Sequence, residues 1–427
     1  MATRTYFCID MKSFYASVEC AERNLNPFET NLVVADSSRG TNAICLAITP
    51  KMKALGIKNR CRLNDIPSQL PYIVAKPRMQ LYIEYAADIY EIYLDYFAPQ
   101  DIHVYSIDES FIDATSYLKT YNVDGKTLAK KLMNVIADKL HIPSTAGIGT
   151  NLFLAKVALD ITAKHTKDHL GYLTEDLFKK TLWDHMPITD FWQIASGKAA
   201  RLARYGIFTM RGITEANQEN LYKVFGKDAE LLIDHAWGRE SCLISDIKNY
   251  TSKSHSVSFS QILPRDYSFQ EAQVVMEEML HHGCLELIKR KVITQKIWIG
   301  IGYSKEIEPA THGMTKLPTA INVPSLMNPY LKKLFNSTVL KNIPIRRLGI
   351  CFCDVCDEAC EGYDLFTDWN SVSKEKNLER AVLNITEKYG KNSVLRGLNF
   401  LEGATQKERN EMIGGHRAGY DDTSRKS

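Results

Sequence analysis

No apolar run in the chain approaches the roughly 20 residues that a bilayer-spanning helix needs, and its first residues lack the charged, apolar and small-residue order of a secretory signal. That excludes a membrane-embedded helical protein and leads us to expect a cytoplasmic one. Excess charge is also lacking. The net value is +3, from 53 Lys and Arg against 50 Asp and Glu, so only the distribution of charge could announce a nucleic acid partner. Ten cysteines without a secretory signal imply reduced thiols. Cys351, Cys353, Cys356 and Cys360 crowd one segment, but their C-x-C-x₂-C-x₃-C spacing lacks the two separated knuckles of a zinc site, and the first two fit a period-two strand. Gly147 and Gly149 are weak evidence of a phosphate site by themselves, because they match neither a Walker loop nor a dinucleotide fingerprint. No G-G-D/E-E-F turn of a nucleotide cyclase occurs.

What is present reads as a folded, soluble protein of two to four domains: 427 residues, 45% apolar and 24% charged. Two acidic motifs stand out, FCIDMKSFYASVE at Phe7 to Glu19 and YSIDES at Tyr105 to Ser110. In the first, an apolar strand from Tyr6 to Ile9 delivers Asp10 at its end, and Ser13 to Glu22 follows as a helix with Phe14, Val18 and Ala21 on one face. In the second, Val104 to Ile107 reads as a strand delivering Asp108 and Glu109. Adjacent side chains point to opposite faces of a flat strand, so a shared ligand requires a tight turn at these two residues. Hard carboxylate oxygens suit Mg²⁺, and two divalent ions about 4 Å apart serve in-line displacement at phosphorus. Asp10, Asp108 and Glu109 are therefore the candidate catalytic and metal-binding residues, with the backbone carbonyl of Met11 completing the set. A lone Asp at a strand end is more often a cap or a solvated turn; the case rests on reading both motifs whole.

Together these motifs resemble the palm of Y-family translesion DNA polymerases, and the chain as a whole is most similar to their UmuC-like bacterial branch. The likeness continues through PRMQLY at Pro77 to Tyr82, ILPRDY at Ile262 to Tyr267, PIRRLGI at Pro344 to Ile350 and LEGATQKERNEMIGGHRA at Leu401 to Ala418. The resemblance implies an α+β multidomain, right-hand polymerase. Palm and fingers would occupy residues 1–165, a helical thumb with a helix-hairpin-helix 166–240, a linker 241–251, an α/β little finger 252–354 and a tail 355–427. It implies template-directed addition of deoxynucleotides opposite damaged DNA, with low fidelity, no proofreading and a role in DNA repair and the SOS response. Two Mg²⁺ ions are implied, with Mn²⁺ able to substitute. Primer-template DNA and deoxynucleoside triphosphates are the implied partners, and a sliding clamp and a recombinase filament are the further ones it raises.

By resemblance, Tyr15 would stand over the ribose with Phe14 packed beneath it. Asn42 to Ile48 reads as a strand leading to a short helix, Pro50 to Leu55, from which Thr49 and Lys53 would grip the triphosphate; without the resemblance Lys53 is equally a solvated helix end. In AGIGTNLFLAK, Gly147 and Gly149 are expected to form a turn, Thr150 a helix cap, and Lys156 a second triphosphate contact. Phe191 to Thr214 resembles the thumb hairpin that binds phosphates through backbone amides. Gln193 and Ala195 replace the two glycines of its usual entry, which is expected to block φ > 0 there, leaving Lys198, Arg201 and Arg204 to bind DNA through side chains. Four strands (255–262, 294–303, 315–323, 346–353) and two helices (270–290, 324–339) suit the little finger. Its basic residues outnumber its acidic ones, and Arg346 and Arg347 are its candidate DNA contacts. His281 and His282 read as helix surface. In the tail a helix is expected from Lys376 to Tyr389, and Leu365 and Phe366 stand where relatives carry a clamp-binding peptide, with Gly362 in the glutamine position.

Overall fold

The computed structural model describes residues 4–252, 255–304, 309–362, 364–365 and 367–419. The chain divides into two compact units, residues 1–250 with 419–427, and residues 251–418.

The first unit is built on a five-stranded sheet. Its centre is β1 (Tyr6–Met11), whose apolar residues on both faces make it the strand most suited to burial. β2 (Ile102–Val104), β3 (Glu109–Asp113), β4 (Ser144–Gly149) and β5 (Leu170–Leu173) complete the order β2-β3-β1-β4-β5. β1 is antiparallel to both neighbours, and the register sets Asp10 opposite Glu109 on one side and Thr145 on the other. One sheet face packs Tyr6, Cys8 and Phe111 against Leu152, Leu159 and Ile244. The anticipated linker thus includes a helix, Ile244–Asn249, that covers this sheet.

α1 (Phe14–Ala21) leaves β1 through Ser13, held in the left-handed region at φ 50°. A second sheet joins Leu32–Val34, Ala47–Ile48 and Ile73–Ala75. The apolar run from Asn42 makes only a single bridge, Ile44 with Arg62, before its short strand, so the expected strand is mostly loop. α2 (Pro50–Ala54) starts with proline in its first turn, where the missing N–H costs nothing, and ends at Gly56 with φ 83°.

Gly147 and Gly149 do not form a turn. They lie inside β4, where an added Cβ would come within 2.1 Å of the Ala155 carbonyl oxygen and 2.2 Å of the Ala155 nitrogen. Their bareness lets α3 (Leu152–Val157) press directly onto the sheet, which sets Lys156 against β3. Asn151 rather than Thr150 caps α3, accepting from the Leu154 N–H at 2.8 Å.

The hairpin after Phe191 consists of α4 (Ser196–Ala203) and α5 (Met210–Glu215), packed through Phe191, Leu202 and Met210. Gln193 adopts φ 69° although it carries a side chain. The left-handed turn survives the loss of glycine, contrary to expectation, because Phe191 and Ile194 on either side are buried and fix the path of the chain.

In the second unit, β6 (Val257–Tyr267), α6 (Phe269–Lys289), β7 (Val292–Tyr303), β8 (Thr311–Ile321), α7 (Pro324–Thr338) and β9 (Ile345–Cys353) form an antiparallel sheet of order β8-β7-β9-β6 with both helices on one face. Gly283 of α6 admits the Phe352 ring, which would lie 2.1 Å from a Cβ there. α8 (Trp369–Tyr389) begins earlier than the sequence suggested and packs on α6, and Lys376 ties it to Glu358 and Glu361 at 2.9 and 2.7 Å. His281 and His282 are consequently half-buried, and desolvation pushes His281 down to about 4. The LEGATQKERN segment also docks on α6. Buried Glu278 accepts from Asn399 Nδ2 and the Thr405 N–H, both at 2.7 Å, and from the Gln406 N–H at 3.2 Å.

Candidate active site

β1 and β3 bring the two acidic motifs together. The Met11 N–H donates to the Asp108 carbonyl at 2.9 Å, so the first motif is sewn to the second by backbone. The reversal lies one step earlier than expected. Tyr105 and Ser106 both donate N–H to the Glu109 carbonyl, at 2.9 and 3.0 Å, making Tyr105 to Asp108 the turn and Glu109 the first residue of the returning strand.

Each carboxylate has a different environment. Asp108 accepts from Ser106 Oγ at 2.7 Å. Glu109 is buried, bonded to the Lys156 ammonium at 2.8 Å and to the Cys8 thiol at 3.1 Å. For Asp10, burial and then the negative charges of Asp108 and Glu109 raise the carboxyl to about 7. Among the described residues no three His, Cys, Asp or Glu side chains are arranged as a finished metal cage. Glu109 is engaged by Lys156. Hard oxygen donors, one of them raised by burial and then by its acidic neighbours, fit a divalent cation, which would relieve both effects.

Lys156 is buried against the sheet and bonded to Glu109 and to Asp160, the latter at 3.1 Å. Burial alone would lower its ammonium, but the negative charges of Asp160 and Glu109 and the hydrogen bond to Glu109 raise it. It is not directed outward at a triphosphate. Thr49 is also unsuited to the part expected of it. It is fully buried, and its hydroxyl donates to the Thr30 carbonyl at 2.7 Å and accepts from the Leu32 N–H at 3.3 Å.

Lys53 is coupled electrostatically to Asp10 and Asp108, and two further lysines, Lys12 and Lys164, that the motifs did not reveal act on it. Burial lowers Lys53, the charge of Lys164 adds to the effect, and Asp10 and Asp108 oppose it. Burial and the charge of Lys53 similarly lower Lys12. Lys53 thus feels both the acids Asp10 and Asp108 and the lysine Lys164, and Lys12 feels Lys53, an accumulation of positive charge that a bound anion would favour. Lys12 could have been noticed as the second residue after Asp10; Lys164 has no local signal.

Tyr15 is half-buried, and burial together with the negative charge of Asp108 raises its phenol. Its ring thus stands beside the acidic site. Phe14 does not lie beneath it. That ring is in the core, tilted 46° at 5.8 Å, while the residue stacked on Tyr15 is Tyr82. In the hairpin, Arg204 is exposed, Lys198 is half-buried and Arg201 lies over the Phe225 ring at 4.6 Å. Trp192 Nε1 donates to the Tyr105 hydroxyl at 3.1 Å, anchoring the hairpin entry to the acidic turn. On the helix-free face of the second unit's sheet, Arg347 is exposed and sits between Gly302 and Ile262, while Arg346 approaches Asp266 at 3.8 Å. Leu365 is 97% exposed, and Phe366 lies outside the described residues.

A sheet that brings Asp10 beside Glu109, with Asp108 in the adjoining turn and lysines acting on the acids, has the donor set of a nucleotidyl-transfer palm. The comparisons make this specific. The impB/mucB/samB family profile matches residues 9–160. A putative UV-damage repair protein, UvrX, of Bacillus subtilis (strain 168) is 30% identical over 97% of this chain and 98% of its own length. DNA polymerase IV 2 of the same organism is 28% identical over 97% and 99%. Among solved structures, a Y-family DNA polymerase chimera of Dbh and Dpo4 segments superposes with a TM-score of 0.63 at 22% identity, covering 83% of this chain and 99% of that one. The chain belongs to the Y-family, impB/mucB/samB polymerases.

Proposed function

We propose that the chain is a template-directed DNA polymerase of the translesion type, acting in DNA repair by adding deoxynucleotides to a primer 3′ end. The observation that carries this reading is the register of Asp10 against Glu109, with Asp108 in the adjoining turn and Tyr15 beside it. Asp10, Asp108 and Glu109, with the Met11 carbonyl, are the residues that would hold Mg²⁺, which when bound activates the attacking oxygen and stabilises the leaving one. Lys12, Lys53 and Lys164 neutralise the triphosphate. Lys156 holds Glu109 in place, and Tyr15 faces the sugar. In the hairpin, Lys198, Arg201 and Arg204 contact the DNA backbone, and on the second unit's open sheet face Arg347 does the same. Primer extension on undamaged and abasic templates tests the whole: extension of both supports it, and synthesis on neither identifies a non-catalytic DNA-binding protein.

Asp10 makes metal binding pH-dependent. A raised carboxyl favours the metal-free fold while protonated, and that contribution fades as pH rises through about 7. Cation binding needs the deprotonated form and offsets the loss. The rise in melting temperature produced by Mg²⁺ should therefore be larger at pH 8 than at pH 6, and equal shifts would remove Asp10 from the metal site.

The exposed Leu365 is a clamp anchor in this reading. Open space surrounds Gly362, with no atom within 4 Å of an added Cβ. Gly362→Gln should therefore be accommodated and strengthen a weak clamp complex by roughly tenfold through new hydrogen bonds. Titration of the clamp by calorimetry checks this; no binding by either form would make the segment a structural one.

A further inference from the structure

We propose that Tyr82 is a positioning residue for sugar selection: its ring fixes the ring of Tyr15, and the buried carboxylate of Glu19 fixes Tyr82. The inference rests on the reading of Tyr15 as the residue that faces the sugar.

The two rings stack with centroids 4.5 Å apart and planes 16° from parallel. They come from different helices, Tyr15 from the first turn of α1 and Tyr82 from the helix Met79–Leu94. Tyr82 is completely buried while Tyr15 is half-exposed, so one ring is a floor and the other stands on it. The floor cannot turn. The Tyr82 hydroxyl donates to Glu19 Oε1 at 2.7 Å. Glu19, itself completely buried, takes a two-point contact from Arg78, at 3.0 Å from Nε and 2.8 Å from Nη2, and a further bond from Arg23. A guanidinium fork on a carboxylate is planar and directional, and a buried acid satisfied in this way has no competing partner in water.

Glu19 is four residues after Tyr15 on α1, on the same face. The acid that holds the floor therefore hangs from the same helix as the ring the floor supports, and the contacts close a loop from Tyr15 through α1, Glu19 and Tyr82 back to Tyr15. This gives the PRMQLY and FYASVE segments a joint purpose that neither shows alone. A steric filter that separates hydrogen from hydroxyl is only as sharp as its ring is fixed, since small displacements of a positioned group are costly in an active site. Tyr82 acts on the sugar only through Tyr15.

Single-nucleotide insertion kinetics with matched ribo- and deoxynucleotides provide the test. Tyr82→Leu should raise the ribo-to-deoxy ratio of kcat/KM by about tenfold, the upper range for a lost aromatic stack. Tyr82→Phe, which keeps the ring and loses the Glu19 bond, should raise it by about threefold, between wild type and Tyr82→Leu, and a ratio equal to wild type would remove Glu19 from the arrangement. Because the effect passes through Tyr15, Tyr82→Leu should add nothing in a Tyr15→Ala background. If Tyr82→Leu does not fold, Tyr82→Met keeps most of the volume without the aromatic plane and carries the same expectation. A raised ratio in Tyr15→Ala with an unchanged one in Tyr82→Leu, or independent additive effects, overturns the positioning role and leaves the reading of Tyr15 intact. An unchanged ratio in Tyr15→Ala overturns both.

Discussion

Asp108→Ala should yield a folded chain that binds primer-template within a few-fold of wild type and adds nucleotides at least about a thousand-fold more slowly. The two halves of this expectation have separate physical grounds. Asp108 sits in a turn, half-buried, and its side chain accepts from Ser106 Oγ, so its loss opens no cavity and strands no buried charge. The basic residues proposed to hold DNA are Lys198, Arg201 and Arg204 on and just after α4 and Arg347 on β9, none of them in the acidic turn. Glu109→Ala should be equally inactive for a less clean reason. Glu109 is buried with Lys156 and Cys8, and removing one partner of a buried ion pair costs about 3 to 5 kcal/mol of stability. Asp108→Ala is therefore the decisive variant. Rapid-quench insertion alongside DNA binding by fluorescence anisotropy measures both quantities, and a near wild-type insertion rate would remove Asp108 from the site.

The acidic motifs were legible because each pairs an apolar run with an acid at its end, and burial does the rest. β1 is found where Tyr6 to Ile9 is continuously apolar, and the second unit's strands and helices follow their periodicities closely. Misreadings arose where tertiary contact overrode the local pattern. Val104 to Ile107 alternates like a strand, but Ser106 bonds to Asp108 and the chain reverses. Gly147 and Gly149 look like a loop; they are strand residues whose missing Cβ atoms admit a helix backbone. A non-glycine at position 193 suggested a blocked turn, yet buried neighbours impose φ 69°. Thr49 and Lys156 are polar residues next to a functional motif, and only the fold shows that their polar atoms are already engaged. Lys164 is the converse case, an unremarkable lysine in sequence whose charge nonetheless acts on Lys53 in the fold.

Tyr15→Ala should raise ribonucleotide use relative to deoxynucleotide by on the order of a hundredfold or more, equivalent to about 3 kcal/mol of lost discrimination. On the proposed reading the collision with Tyr15 exists only for a 2′-hydroxyl, so removing the ring relieves the ribonucleotide and gives the deoxynucleotide nothing. A general loss of stability or of metal affinity lowers both rates together and cancels in the ratio, which makes the ratio a cleaner measure than either rate. Phe14→Ala is the internal control. Phe14 is 3% exposed and belongs to the core, so its truncation should cost about 3 to 5 kcal/mol of stability while the ratio stays close to wild type. Insertion kinetics with both sugars, at a temperature where each variant is folded by circular dichroism, give the comparison. Equal ratios for wild type and Tyr15→Ala would return Tyr15 to a packing role, and a ratio raised by Phe14→Ala instead would mean that the neighbouring ring sets the filter.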